Sequence, residues 1–174
     1  MLCVLINTTN MKNFIYLFSI VMVFSCAQTS EENAGTIQRT DDLSNKIMEM
    51  AKEYQQNSYE LTKQIYSDTV KVRFNLDQVE GLENMISGWQ QEHEVFSNIS
   101  MSDEYVHTNY FSNGNIWSNF WFTWTATGNA TGNEIEIKAH FDYKWENGKI
   151  VEAQGFFADN EFANELEAAT NNNQ

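Results

Sequence analysis

Residues 134–150, EIEIKAHFDYKWENGKI, alternate apolar and polar side chains without a break until Asn147-Gly148. Ile135, Ile137, Ala139, Phe141, Tyr143 and Trp145 fall on one side. Glu134, Glu136, Lys138, His140, Asp142, Lys144 and Glu146 fall on the other. A period of two marks an extended strand with one face buried and one face wet. Asn-Gly tolerates the positive φ that a two-residue hairpin turn requires. The segment therefore predicts strand, turn, strand, with an apolar inner row and a mixed-charge outer row. Asp142, a carboxylate set among aromatics, belongs to the outer row.

The same period predicts strands over 104–112, 116–127 and 150–158, with a second tight turn at Asn113-Gly114 and a looser connection, TGNATGN, over 127–133. Upstream the period lengthens to that of a helix. Leu43, Ile47, Met50, Ala51 and Tyr54 form one apolar stripe; Leu82, Met85, Ile86, Trp89, His93 and Phe96 form another. Between them a short helix carries Leu61 and Ile65, and Val70, Val72 and Phe74 alternate as a short strand. Asn57-Ser-Tyr-Glu60 and Asp77-Gln-Val-Glu80 read as capping boxes opening the second and third helices. A last helix is expected from about Asp159, with Phe162 and Leu166 on one side. Helices first and a meander afterwards predict an α+β domain, its helices packed on one face of a curved, mostly antiparallel sheet.

At the N-terminus, Met11-Lys12-Asn13 precedes an apolar run, Phe14 to Phe24, interrupted only by Ser19. That run is too short to cross a hydrocarbon core of ~30 Å. Residues 1–25 are thus predicted to be a signal peptide, with 1–10 an over-long start. Val23-Phe24-Ser25-Cys26 resembles a bacterial lipobox, although Phe24 stands where a small residue is usual. The resemblance implies a lipid-modified Cys26 and a protein held in the bacterial cell envelope by that lipid. The alternative is an ordinary secretory signal with an incidental cysteine. Residues 26–40 carry a single apolar side chain, Ile37, and read as a lipidated tether; 170–174 read as a disordered tail. With Cys3 in the discarded start, no disulfide framework is expected. A formal net charge of −14 disfavours nucleic acid as a partner and leaves no basic patch for lipid headgroups.

Ile65-Tyr-Ser-Asp-Thr-Val70 after the helix pair, Glu80-Gly81-Leu82 opening the third helix, and the closing Glu146-Asn-Gly-Lys-Ile150 followed by Asp159 carry a family resemblance. Over residues 41–169 the chain resembles the nuclear transport factor 2-like superfamily, in its SnoaL-like, polyketide-cyclase-like branch. The resemblance implies a cone-shaped fold whose curved sheet wraps around helices, often leaving an apolar pocket. Its members include isomerases, dehydratases, cyclases and proteins without known activity, so fold alone assigns no function. In ketosteroid-isomerase-like relatives an inward carboxyl on the strand at 133–146 donates to the substrate. Here the nearest inward residue is Phe141. Their general base usually follows the short first strand, where this chain has Arg73-Phe-Asn-Leu-Asp77, and Asp77 reads as a helix cap. No catalytic residue is assigned on these grounds.

Tyr54, Trp89, His93, Trp124 and Tyr143 are the candidates to line a pocket for a small apolar ligand, and no cofactor is implied. The alternative is an isomerase, dehydratase or cyclase using His93 as general base with a tyrosine partner. A histidine in such a place is more often a hydrogen-bonded residue at the core margin. His93, His107 and His140 do not have the spacing of a metal site. Trp117 and Trp121 fall on the outer sheet face, where they would form a homodimer interface or lie beneath the tether or last helix. A structural envelope protein associating through that patch is the third reading.

Overall fold

The computed structural model describes residues 34–172. In chain order these form β1 (Gly35–Gln38), α1 (Asp42–Gln55), α2 (Glu60–Ile65), β2 (Tyr66–Phe74), β3 (Asp77–Glu80), α3 (Leu82–Val95), β4 (Phe96–Phe111), β5 (Ile116–Gly128), β6 (Glu134–Glu146), β7 (Lys149–Phe157) and α4 (Asn160–Asn172). The strands make one curved, unclosed sheet in the order β1-β4-β5-β6-β7-β2-β3. All its pairings are antiparallel except β2 with β7. The helices cover its concave side, as the α+β cone expectation requires. None of the described helices is long and apolar enough to cross a membrane.

β6 keeps the face assignment that its alternation predicts. Ile135, Ile137, Ala139, Tyr143 and Trp145 are buried, and Phe141 is half-buried among the inward residues. They meet Ile47, Met50, Ala51 and Tyr54 of α1 and Leu82, Met85 and Ile86 of α3 in one continuous core. Burial at about 25 cal/mol per Å² of apolar surface makes this core the main stabilising term.

β4 begins at Phe96, well before the residue 104 expected from alternation. Its pairing with β5 shifts register between Ser97 and Ser100 and again between Ser102 and Tyr105. Asn98 and Asp103 take positive φ there. Each bulge adds a residue, bends the strand and breaks the period of two, which hides the strand from periodicity. Phe96 is consequently a strand residue and the C-cap of α3.

Neither capping box forms. Asn57 has φ 53° and its Oδ1 accepts from the Tyr59 hydroxyl at 2.8 Å. The open amides of α2 are met instead by Glu53 of α1, which accepts from Leu61 N at 2.9 Å and Thr62 N at 3.3 Å. Asp77 to Glu80 are extended and pair with β2 as an edge strand, and α3 follows Gly81, whose φ is 90°. Burying Val79 against the core outweighs the local preference for a cap. Asp41 does cap α1, its Oδ1 accepting from Ser44 N at 3.3 Å.

Gly35–Gln38, read as tether, pairs antiparallel with Thr108–Phe111. Sheet-edge hydrogen bonding needs no apolar side chains, so the polar composition concealed it. Asn171 and Asn172 close α4 although the tail was expected to be disordered. The expected signal peptide, Cys26 and residues 173–174 lie outside the described residues.

Two polar fixtures tie these layers together. Trp145 Nε1 donates to Ser118 Oγ (2.8 Å), Ser118 bonds Thr108 Oγ1 (2.8 Å), and Thr108 bonds Ser44 Oγ (2.9 Å). Ser44 then donates to the Gln38 carbonyl at 3.5 Å. The indole only donates and the carbonyl only accepts, so the hydroxyl protons all run from Trp145 towards Gln38. The second fixture is the buried Glu165 of α4, which accepts from Ala130 N at 2.6 Å and Thr131 Oγ1 at 2.5 Å in the β5–β6 loop.

Candidate functional site

Between the concave sheet face and α1, α3 and α4 lies a cavity of about 610 Å³. That is ample for a ligand of one or two rings. The sheet supplies Phe120, Phe122, Trp124, Ile137, Ala139, Phe141 and Tyr143 to its wall. Phe141 lies nearly parallel to Phe157 (8° between planes, centroids 6.2 Å apart). It can do so because residue 155 is glycine: a Cβ there would stand 2.6 Å from the Phe141 ring. The inward position at residue 141 is thus an aromatic wall.

Four of the sequence candidates meet here. Tyr54, Trp89, Trp124 and Tyr143 all line the cavity. Trp89 packs edge-on to Tyr54 at 5.6 Å and stacks on Tyr59 at 5.9 Å. His93 does not join them. Its Nε2 donates to the Tyr54 carbonyl at 2.7 Å and its ring packs edge-on to the Tyr54 ring. Donation to a carbonyl requires the proton on Nε2, which makes His93 a structural brace between α3 and α1.

The residue that sequence reasoning missed is its neighbour, Glu92. It lines the cavity, half-buried, with Oε2 accepting from the Tyr54 hydroxyl at 2.8 Å. Trp124 Nε1 donates to that same hydroxyl at 3.2 Å. The indole can only donate, so the hydroxyl must hand its own proton to Glu92. Glu92 Oε1 has no protein partner among the described residues. Burial raises the Glu92 carboxyl to about 7, against the opposing hydrogen bond from Tyr54. Burial, reinforced by the Glu92 charge, pushes the Tyr54 hydroxyl well above its ordinary value. The signal for Glu92 lay in spacing: it follows Trp89 by three residues, one helical step from the apolar stripe.

At the rim stand Asn75, Asp77 and Asp159. Asn75 donates to the Phe157 carbonyl at 3.0 Å and to Asp159 Oδ2 at 3.1 Å. Asp77, read as a cap, is an exposed rim residue of β3. Apart from tyrosines, the ionisable residues of the described lining are Asp77, Glu92 and Asp159, and no lysine, arginine or histidine joins them. Among the described residues no cluster of three or more His, Cys, Asp or Glu is placed to hold a metal ion.

On the convex face, Trp117 and Trp121 do not form one patch. A hydrogen-bonded row runs between them, Asn109 to Asn119 to Asp142. Trp121, 37% exposed, instead joins a row across four strands, flanked by Tyr105 and stacked on His140 at 4.3 Å, with Phe156 beyond. His107 stacks on the same indole at 5.3 Å. Arg39 lies over the Tyr105 ring at 4.3 Å. Trp117 is half-buried opposite Asn109 and Lys144. Asp142 sits in the outer row, 3.0 Å from His140 Nε2.

A family profile described as the SnoaL-like domain matches residues 48–153, more than half of the chain. The chain belongs to the SnoaL-like domain family. Solved structures carry the same fold at low identity. A candidate SnoaL-like polyketide cyclase from Jannaschia sp. CCS1 is 14% identical, with TM-score 0.56 over 71% of this chain and 90% of its own. A candidate isomerase from Bacillus subtilis is 8% identical, with TM-score 0.57 over 71% and 91%. A candidate polyketide cyclase from Xanthomonas campestris pv. campestris is 10% identical, with TM-score 0.56 over 71% and 95%. No curated protein matches this chain. At such identities the likeness establishes the fold alone, and the function of this SnoaL-like domain is argued from its own cavity.

Proposed function

We propose that this SnoaL-like domain is an exported, lipid-anchored module that binds a small, largely apolar molecule in the cavity without transforming it. The carrying observation is the aromatic-walled space of about 610 Å³, in which few polar groups converge. Tyr54, Trp89, Trp124 and Tyr143 supply contact surface, and the Tyr54–Glu92 pair supplies one oriented polar point. Lipidation of Cys26 would hold the domain in the bacterial cell envelope. Two copies would associate through the Trp121 row, where Tyr105 and Phe156 are also exposed.

Trp89 and Trp124 make the binding reading testable by emission. Titration with a neutral bicyclic probe such as 1-naphthylmethanol is expected to quench tryptophan fluorescence saturably. Ala139→Trp, which fills the cavity from β6, should remove the effect. Unsaturable quenching by this alcohol and by its amine analogue alike, or quenching indifferent to that substitution, would sink the proposal.

A second reading rests on one observation. A carboxyl held near 7 in an aromatic cavity is matched to proton transfer at neutral pH, so an isomerase or cyclase would use Glu92 in place of the expected His93. Exchange of the α-hydrogens of bound 1-tetralone for deuterium, abolished by Glu92→Gln, would establish it. Exchange no faster than in buffer would refute it for such ketones.

A further inference from the structure

We infer that the cavity selects a hydrophobic cation, an amine on a ring or alkyl body, with its ammonium group held by Glu92 against Trp89. The inference rests on the binding reading above and names the chemical class of the ligand.

Three observations on the wall converge. Glu92 offers one carboxylate oxygen without a protein partner, while Tyr54 fixes the other at 2.8 Å. A carboxylate held at two points, by a hydroxyl on one oxygen and an ammonium on the other, keeps its charge in a dry site more readily than a lone one. Second, Glu92 follows Trp89 by three residues on α3, so the two side chains are neighbours on one helix surface. Trp89 stands edge-on to Tyr54, which itself bonds Glu92. An indole near a carboxylate adds the attraction of its ring quadrupole for an alkylammonium to that of the charge. Third, the ionisable lining beyond tyrosine is acidic throughout, with Asp77 and Asp159 at the rim and no basic side chain. A ligand carboxylate or phosphate would find no counter-charge there and would be repelled on entry, whereas a cation would be drawn in. The chain's net charge of −14 acts in the same direction.

A neutral ligand could donate at most a hydrogen bond to that oxygen of Glu92, whereas an ammonium group brings a charge-assisted one. The apolar remainder of the cavity sets the other half of the selectivity. Phe120, Phe122, Phe141 and Ile137 require a hydrocarbon body, which excludes small hydrophilic amines.

The test compares matched probes on the full exported chain: 1-naphthylmethylamine against 1-naphthylmethanol, and 2-phenylethylamine against 2-phenylethanol, by calorimetry or tryptophan quenching at pH 8. Each amine is expected to bind at least tenfold more tightly than its alcohol. In Glu92→Gln the ratio should fall to near one. Equal affinities in the wild-type chain, or a preference that survives Glu92→Gln, would overturn the inference while leaving the binding reading standing. Failure of all four probes to bind would remove the binding reading and this inference together.

Discussion

At the scale of single residues, the half-buried Glu92 and the buried Glu165 pull stability in opposite directions with pH. Burial is the largest influence on both. For Glu92 it prevails and lifts the carboxyl to about 7. For Glu165 it is outweighed by hydrogen bonds from Thr131 and Ala130, which leave that carboxyl below its ordinary value. A folded-state value above the unfolded one favours the fold only while the group is protonated. The contribution of Glu92 is therefore complete below about 4.5 and disappears as pH rises through about 7. Glu92→Gln should flatten that window, gaining about 2–4 kcal/mol on wild type between pH 5 and pH 8 in denaturant titrations. Parallel profiles for the two proteins would show that Glu92 is not held protonated by the fold. The hydroxyl relay gives a second residue-scale expectation. Thr108→Val preserves shape but breaks the bonds to both Ser118 and Ser44. A loss of about 1–3 kcal/mol is expected, and a change within error would mean the neighbouring hydroxyls re-pair. Neither the Glu165 contacts nor the relay was legible beforehand, because each depends on which elements become neighbours.

At the scale of elements, α4 forms part of the cavity wall through Phe162, Ala163 and Leu166, and it is pinned by Glu165. Gly128 makes room for that carboxylate: a Cβ at residue 128 would stand 2.2 Å from Glu165 Oε2. Gly128→Ala is expected to dislodge the side chain and to speed amide exchange throughout α4 while β5 and β6 stay protected. Unchanged α4 protection would show that Phe162, stacked on Phe96 at 4.8 Å, holds the helix alone. The elements themselves were legible where one physical pattern ran uninterrupted. β6, β5, α1 and α3 announce themselves by period because each buries one continuous face. β4 concealed its first half behind two bulges, and β1 carried no apolar signal at all. The capping boxes misled because Asp77 and Asn57 satisfied the local pattern, while tertiary pairing offered β3 a sheet edge and gave α2 the carboxylate of Glu53. Of the candidate site, the aromatic wall followed from alternation. His93 and Glu92 exchanged roles because a helical stripe defines a face only to within about one residue.

At the scale of the whole molecule, two expectations concern what the domain meets. If the convex face pairs two copies, Trp121→Glu should turn a dimer into a monomer in sedimentation at micromolar concentration. A wild-type monomer under those conditions would exclude the interface. If Cys26 carries the lipid, Cys26→Ala should move the protein from the membrane fraction to the soluble fraction, and continued retention would exclude that anchor. The pairing of β1 with β4 then has a consequence for orientation. It begins at Gly35, opposite Phe111, beside the turn at Asn113-Gly114. The Asn147-Gly148 turn lies at that same end, since Ile116 pairs with Trp145. β7 runs from there to Phe157, and Asp159 on the cavity rim follows it. Eight residues lie between Cys26 and Gly35, so the two can stand no more than ~30 Å apart. A protein moored this way would hang from its turn-bearing end, with the cavity opening directed into the aqueous compartment, where a dissolved molecule arrives without first entering the bilayer.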